Sequence, residues 1–232
     1  MAETKIIVLD DDPTGTQTVH DVTVLLDYDE ALLADTLRHP ENRLIFLLTN
    51  SRSLLEPEAV RLAQKIGGML RAAASQAGVE LIVISRSDST LRGHYPAEVG
   101  ALIDGMGTPD AAQILMPAFL AGGRLTIDGV HYVCEGDRRT PVGETEFARD
   151  ATFGFTSSAM DAWVEEKTAG RVCARDVVTL DGSAGTMQAT LSTLPPRGVA
   201  YVNVSKLEHL ETFAQAYLAA WDQDVRPVLR LS

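Results

Sequence analysis

Short apolar runs alternate with longer amphipathic stretches along most of this chain, and the alternation restricts the folds open to it. The apolar runs predicted as strands cover residues 6–9, 22–26, 44–48, 81–84, 114–116, 177–180, 200–204 and 228–231. Helical patterns cover residues 30–38, 57–74, 96–103, 158–168, 186–194 and 207–221. Strands that alternate with helices are typical of parallel sheets joined by helical crossovers. We therefore predict an α/β fold with an open, mostly parallel, Rossmann-like sheet and helices on both faces, in three layers.

The alternation breaks between residues 117 and 155, which are rich in Gly, Arg and Thr. Inside this segment Asp128-Gly129 joins two short β-like runs, 125–127 and 130–132. An Asp-Gly pair between such runs is a strong signal for a tight hairpin turn. The segment is too long for a simple connection. We expect a β-hairpin excursion over one face of the sheet, with a functional role.

Composition and charge exclude several classes of partner. The chain has 232 residues, of which 45% are hydrophobic, so it can bury a sizeable core. Its net charge of −12 would repel nucleic acid and anionic membranes over most of the surface. Cys134 and Cys173 have no metal-binding spacing, and no apolar run is long enough for a membrane helix. We expect a cytoplasmic protein with a small-molecule partner and no metal ligands of its own, and homo-oligomerisation stays open.

Three adjacent carboxylates, Asp10, Asp11 and Asp12, follow the first predicted strand and are in turn followed by Pro13 and Gly15. A single Asp at such a place often serves only as a turn residue. Three in a row repel one another, and perturbed carboxylates are typical of functional sites. The sequence therefore favours a functional role for this cluster.

Polar clusters also follow the next strands, in the sequences TNSRS, SRSDSTLRG and PAFLAGGRLT. Ligands of open parallel sheets bind beyond the carboxyl ends of the strands, so we expect all four clusters to lie on one rim. Arg can hold a carboxylate with two hydrogen bonds, and an Asp can take a proton from a hydroxyl that becomes a nucleophile. The rim is suited to a small polyhydroxylated acid.

Several long motifs resemble the N-terminal domain of the four-carbon acid sugar kinase family. They are LDDDPTGTQTVHDV, LLTNSRSL, SRSDSTLRGHYPAE, PAFLAGGRLTIDGVHYV and ETEFARDATFGF, and they span residues 10–155 in order. The resemblance implies that residues 1–232 form the acid-sugar-binding half of a two-domain ATP-dependent kinase. Such kinases phosphorylate a terminal hydroxyl of substrates that resemble erythronate, threonate or 3-oxo-tetronate.

The resemblance also implies roles for individual residues. The motif D-D-x-T-G supplies Asp11 and Asp12 as the candidate catalytic base, and Thr14 and Gly15 as substrate contacts. The other implied substrate contacts are Asn50, Ser51, Arg52, Arg86, Asp88, Ser89, Thr90, Arg92 and Gly93. Arg92 is the first choice for the sugar carboxylate. Many relatives carry Lys where this chain has Arg86, which leaves a lysine-specific role there in doubt. Asp10 is expected to be structural.

The sequence contains no G-x-x-x-x-G-K-[ST] loop for a nucleotide, and the three aspartates would repel a triphosphate without Mg²⁺. The resemblance assigns ATP and Mg²⁺ mainly to a C-terminal nucleotide-binding domain, present in cis or in trans, that these residues do not include. The chain alone is then expected to bind an acid sugar weakly and to transfer no phosphate.

Two alternatives remain open from the sequence. The stretch 6–14 also fits the D-x-D-x-T pattern of Mg²⁺-dependent haloacid-dehalogenase-like phosphatases, with Asp10 as nucleophile and Asp12 as acid and base. That family's later lysine and acidic pair have no convincing counterpart in this sequence. The second alternative is a non-catalytic sugar-acid-binding domain.

Overall fold

A computed structural model describes residues 2–14 and 20–232 of the chain. Gly15, one of the predicted binding residues, lies outside the described residues. The contacts divide the chain into two compact units. The first unit comprises Met1–Ser87 and Gly93–Pro109, and the second comprises Asp88–Arg92 and Asp110–Ser232.

The first unit contains a parallel four-stranded sheet and three helices. Its strands are β1 (Glu3–Asp10), β2 (Thr23–Leu25), β3 (Leu44–Leu48) and β4 (Val79–Arg86). They lie in the order β2-β3-β1-β4, and each neighbouring pair is parallel. The helices are α1 (Glu30–Arg38), α2 (Glu56–Ala77) and α3 (Ala97–Met106).

Local sequence signals explain where helix α2 begins and ends. Pro57 lies in its first turn, where the missing N–H would have no intrahelical partner. Gly78 follows its last residue with φ +70°, a left-handed conformation that glycine adopts without steric cost. The sequence predicts this helix over residues 57–74, and the structure extends it at both ends.

Helix α2 packs against α3 at two glycines that allow the backbones to approach closely. A Cβ atom on Gly67 would lie 2.6 Å from the carbonyl oxygen of Leu102, and one on Gly105 would collide with the carbonyl oxygen of Gln64. Real Cβ atoms do not come this close to backbone, so any larger residue would force the two helices apart. The glycines therefore fix the distance between α2 and α3.

The second unit contains one parallel and one antiparallel sheet. The parallel strands are β5 (Gln113–Met116), β9 (Val178–Leu180), β10 (Val199–Val202) and β11 (Val228–Leu231). They lie in the order β11-β5-β10-β9. The antiparallel strands are β6 (Arg124–Ile127), β7 (Val130–Glu135) and β8 (Arg138–Pro141). The helices are α4 (Met160–Lys167), α5 (Ala184–Ser192) and α6 (Leu207–Trp221).

The predicted hairpin is present, and the structure adds a third strand to it. Asp128 and Gly129 both have positive φ angles, +50° and +78°, as a two-residue turn between β6 and β7 requires. A second turn at Gly136, with φ +57°, returns the chain as β8. The sequence prediction missed β8 because its residues, RRTP, lack the apolar alternation of a strand.

The predicted α/β class is confirmed, with open parallel sheets and helical crossovers. The predicted strands and helices outside residues 117–155 all appear, with ends that shift by a few residues. Among the described residues, no helix is both long enough and apolar enough to span a membrane.

Adjacent glycines in α2 allow a test of its packing. Gly67→Ala should lower the free energy of unfolding by about 1–3 kcal/mol, because the added methyl collides with the backbone of α3. Gly68 has no atom within 4 Å of a Cβ position, so Gly68→Ala should raise that free energy by about 0.5–1 kcal/mol through helix propensity alone. Urea unfolding of both variants measures the difference. Equal effects would show that α2 and α3 are not in close contact at Gly67.

Candidate functional site

The register of the first unit's sheet brings three polar strand ends together. Asp10, at the end of β1, pairs with Leu48 at the end of β3 and with Arg86 at the end of β4. The residues that follow these strands therefore meet at the carboxyl edge of the sheet, where ligands of parallel sheets bind. Residues 10–14, 49–53 and 86–87 form this edge, and we call it the acidic edge.

Arg52 holds the two carboxylates that sequence analysis selected as the candidate base. Its Nε and Nη2 atoms donate to the two carboxylate oxygens of Asp11, at 3.2 and 2.5 Å, and its Nη1 donates to Asp12 at 2.8 Å. Ser87 also donates to Asp11, at 2.8 Å. One guanidinium thus bridges two adjacent carboxylates that would otherwise repel each other. Asp11 is buried, whereas the side chain of Asp12 is 28% exposed.

Asp12 is kept ionised by its neighbours. Partial burial acts to raise the pKa of Asp12, but hydrogen bonds from the hydroxyl and backbone N–H of Thr14, with the charge of Arg52, outweigh it and lower the pKa. Its second oxygen is the one that Arg52 contacts. Asp12 is therefore an anionic hydrogen-bond acceptor at neutral pH, and it is more accessible than Asp11.

Asp10 has a different environment. It is fully buried, and its Oδ1 accepts a hydrogen bond of 2.9 Å from Arg86. Its Oδ2 has no hydrogen-bond partner within residues 2–14 and 20–232. Burial raises the pKa of Asp10, against the opposing effect of Arg86. An enclosed, ion-paired carboxyl is poorly placed to act as a nucleophile, which a phosphatase of the D-x-D type would require of Asp10.

A short 3₁₀ turn, Ser51–Ser53, presents Arg52 to the two aspartates. Asn50, before the turn, has φ +50° and is exposed. The Arg52 backbone N–H donates to the Asp11 carbonyl at 3.2 Å, so main chain and side chain of Arg52 both contact the same strand end. Ser51 is fully buried, and its hydroxyl donates to Glu98, at the start of α3.

The second unit contains a separate charged group around Arg92. The Nε of Arg92 donates to Asp88 at 2.6 Å, and its Nη1 lies 3.7 Å from an oxygen of Asp150. Its guanidinium carbon lies 5.0 Å from the centroid of the Phe147 ring, a distance typical of a cation–π contact. Thr90 donates to the same oxygen of Asp88. Arg92 is therefore held at defined positions by carboxylates and an aromatic ring.

Ser89 lies in the same segment and is anchored by a buried histidine. His131 Nε2 donates to the Ser89 carbonyl at 2.8 Å, and its Nδ1 accepts from the Thr126 hydroxyl at 2.9 Å. Burial lowers the pKa of His131 to about 4. The ring is therefore neutral at physiological pH, in the tautomer that carries its proton on Nε2.

The structure groups most of the predicted site residues but assigns them to two units. The acidic edge contains Asp11, Asp12, Thr14, Asn50, Ser51, Arg52 and Arg86. The second unit contains Asp88, Ser89, Thr90 and Arg92, while Gly93 begins the next segment of the first unit. Their predicted contacts with a substrate stay predictions.

Sequence reasoning gave no role to four residues that hold the predicted ones in place, Glu98, His131, Phe147 and Asp150. Each of them lies far along the chain from the residue that it contacts. The one available signal was that Phe147 and Asp150 fall in ETEFARDATFGF, a motif already noted. No local pattern marks Glu98 or His131 as partners of a distant loop.

The sequence matches the family of sugar-binding N-terminal domains over residues 6–232. The chain belongs to this family. It is also similar to a D-erythronate kinase of Heliobacterium modesticaldum, with 30% identity over 151 residues, which make up 62% of this chain and 32% of that kinase. These findings confirm the resemblance that the motifs indicated. The chain spans about a third of the kinase that it matches.

Solved structures share the fold. A domain of unknown function from Bordetella bronchiseptica, solved with bound citrate as a domain-swapped dimer, superposes with a TM-score of 0.71 at 24% identity, over 98% of this chain and 53% of that one. A Haemophilus influenzae protein superposes with a TM-score of 0.64 at 16% identity, over 97% of this chain and 53% of that one. Identities this low show the fold alone.

The buried His131 makes the stability of the protein depend on pH. Because its pKa is about 4 in the folded protein and 6.5 ordinarily, the unfolded chain binds the proton first as the pH falls. The free energy of unfolding should therefore decrease between pH 6.5 and 4, by up to about 3 kcal/mol from this group. Denaturant unfolding at pH 7, 5.5 and 4.5 measures the decrease.

His131→Gln should remove that part of the pH dependence, because glutamine does not titrate. His20 is the matched control, since its side chain is 92% exposed, and His20→Gln should preserve the wild-type decrease. An unchanged decrease in His131→Gln would show that other groups cause it.

Proposed function

We propose that this chain is the acid-sugar-binding part of an ATP-dependent kinase that phosphorylates a terminal hydroxyl of a four-carbon acid sugar. The observation that carries the proposal is the bridge from Arg52 to Asp11 and Asp12, which leaves an ionised, partly exposed Asp12 at the carboxyl edge of a parallel sheet. The membership in a sugar-binding family and the similarity to a D-erythronate kinase support the same substrate class.

Asp12 is the residue that we propose as the base. Both oxygens of Asp11 are hydrogen-bonded inside the protein, to Arg52 and Ser87, so Asp11 is better suited to holding Arg52. A lowered pKa makes Asp12 a weak proton acceptor. Phosphoryl transfer passes through a loose transition state, in which orienting the attacking hydroxyl matters more than early deprotonation. Asp12 would accept a hydrogen bond from that hydroxyl and direct it toward the phosphate.

Arg92 is the residue that we propose for the sugar carboxylate. Its contact with Asp150 is long for an ion pair, at 3.7 Å, whereas its bond to Asp88 is short. A ligand carboxylate can replace the weaker contact while Asp88 and Phe147 keep the guanidinium in place. Asn50, Arg52, Arg86, Ser89 and Thr90 remain proposed contacts for the hydroxyl groups of the sugar. Ser51, a predicted contact, is fully buried and donates to Glu98, so we propose that it holds the turn that contains Arg52.

The acidic edge already pairs its arginines with its aspartates, which bears on where a nucleotide would bind. Arg52 is paired with Asp11, and Arg86 is paired with Asp10. Their positive charge is therefore largely neutralised and would attract a triphosphate only weakly. We assign ATP and Mg²⁺ to a C-terminal nucleotide-binding domain, in cis or in trans.

Arg92→Ala should weaken the binding of D-erythronate by about 10- to 100-fold, because a charge-assisted hydrogen-bond pair is lost. Binding of erythritol, which lacks the carboxylate, should not change. Isothermal titration calorimetry of this chain with both compounds measures the two effects. Arg138, exposed on β8, is the matched control, and Arg138→Ala should leave both affinities unchanged. Equal losses for the acid and the alcohol in Arg92→Ala would remove the carboxylate assignment.

Phosphate transfer can be tested by combining this chain with the C-terminal part of the Heliobacterium modesticaldum kinase, fused or mixed. The combined protein should phosphorylate erythronate, threonate or 3-oxo-tetronate in the presence of ATP and Mg²⁺, and the chain alone should not. Asp12→Asn should lower kcat by at least about 100-fold with little change in KM, as expected for a group that acts on the attacking hydroxyl. A folded combination that binds ATP but phosphorylates none of the three acids would contradict the proposal.

A further inference from the structure

Glu98 is an acidic residue that the interior of the first unit keeps almost completely out of solvent. It lies in the first turn of α3 and is 8% exposed. Its carboxylate accepts a hydrogen bond from the hydroxyl of Ser51, which is itself fully buried. A buried carboxylate is costly unless it is bonded, and the Ser51 hydroxyl supplies such a bond to Glu98.

The contact joins α3 to the turn that presents Arg52. Ser51 is the first residue of that turn, and Arg52 is the next. The hydroxyl of Thr49 also lies 3.1 Å from the Ser51 hydroxyl and donates to the Asp10 carbonyl at 3.0 Å. The start of the turn is thus fixed on one side by Glu98 and on the other by the end of β1.

The far end of the turn is held by the same segment of chain. His94 lies four residues before Glu98, and its Nε2 donates to the Leu54 carbonyl at 3.0 Å. The Glu98 backbone N–H donates to the His94 carbonyl at 2.9 Å, so the two residues that contact the turn are hydrogen-bonded to each other. The segment 94–98 therefore contacts the turn before and after Arg52.

We propose that Glu98 is a positioning residue: its bond to the Ser51 hydroxyl sets the turn so that the Arg52 guanidinium bridges Asp11 and Asp12. Arg52 must reach both carboxylates with three separate N–H groups, and a planar guanidinium can do so from only a narrow range of directions. A rotation of the turn would move the guanidinium away from this arrangement and lengthen these contacts. Glu98 acts on the proposed base through Ser51 and Arg52.

The effect of Glu98 on sugar binding rests on the proposed function. The geometry of the bridge from Arg52 to Asp11 and Asp12 can be tested without a substrate. The probe is the pKa of the Asp12 carboxyl, measured by carbon NMR and assigned with Asp12→Asn. Arg52 and Arg86 are the cations whose charges lower the pKa of this carboxyl, and Asp11 is the carboxylate that shares Arg52 with it. Losing the Arg52 contact should raise the pKa of Asp12, because the positive charge of Arg52 is one of the interactions that lower it.

Glu98→Leu removes the acceptor for Ser51 and fits an almost buried position. It should raise the pKa of Asp12 and weaken D-erythronate binding by about 10-fold, a loss comparable to one charge-assisted hydrogen bond. The sign is diagnostic, because the loss of a nearby negative charge alone would lower the pKa of a carboxyl. Glu98→Gln keeps an acceptor oxygen for Ser51, so the pKa of Asp12 should not rise above its wild-type value in this variant. The comparison separates the effect of the hydrogen bond from the effect of the charge.

Ser51→Ala removes the donor of the same hydrogen bond and is a smaller change than Glu98→Leu. It provides the test if Glu98→Leu does not fold. It should raise the pKa of Asp12 as Glu98→Leu does, and the double variant should show no further rise, because both changes remove one interaction. A fall in thermal stability with an unchanged pKa of Asp12 in these variants would overturn the proposal. If the pKa responds but the wild-type chain binds no acid sugar, the positioning role stands and the proposed function fails.

Discussion

Compensation of charge at the end of β1 is the constraint on which the candidate site of the first unit depends. Asp10, Asp11 and Asp12 are consecutive, so without cations their repulsion would oppose folding of the strand end. Arg86 binds the first and Arg52 binds the other two. The three carboxyls thereby acquire different properties, since burial raises the pKa of Asp10 while the contacts of Asp12 lower its pKa. Only Asp12 combines ionisation with access to solvent.

That compensation depends on packing at a distance from the charges. The close approach of α2 and α3 at Gly67 and Gly105 fixes α3 against its neighbour, and α3 carries Glu98 in its first turn. Glu98 in turn bonds the turn that presents Arg52. A close helix–helix contact at two glycines is thus connected, through the hydrogen bond of Glu98 to Ser51, to the geometry of the proposed base. Rigid support of this kind is what keeps a polar site in one arrangement.

The second unit also contains an arginine that carboxylates hold in place. Arg92 is held by Asp88 and Asp150 and lies over the Phe147 ring, and the neighbouring Ser89 is tied to a neutral, buried His131. A guanidinium fixed in this way loses little conformational entropy when an anion binds. The segment 117–155, which interrupts the strand and helix alternation, supplies Phe147, Asp150 and His131. The functional role expected of this segment from its length stays a prediction.

The sequence by itself determined the fold class, the order of the strands and helices, and the residue types at the candidate site. Periodicity and turn residues are local properties, so the parallel strands, the helix that stops at Gly78 and the Asp128-Gly129 turn could all be predicted. The sequence could not show that Arg52 bridges Asp11 and Asp12 or that Arg86 pairs with Asp10. It also could not show that Glu98 contacts Ser51 and that His131 contacts Ser89. These pairs are separated by about 40 to 80 residues along the chain and become neighbours only through the register of the sheet and the packing of helices. Tertiary structure therefore decided which carboxylate is accessible, because burial and partners, rather than position in a motif, set its charge.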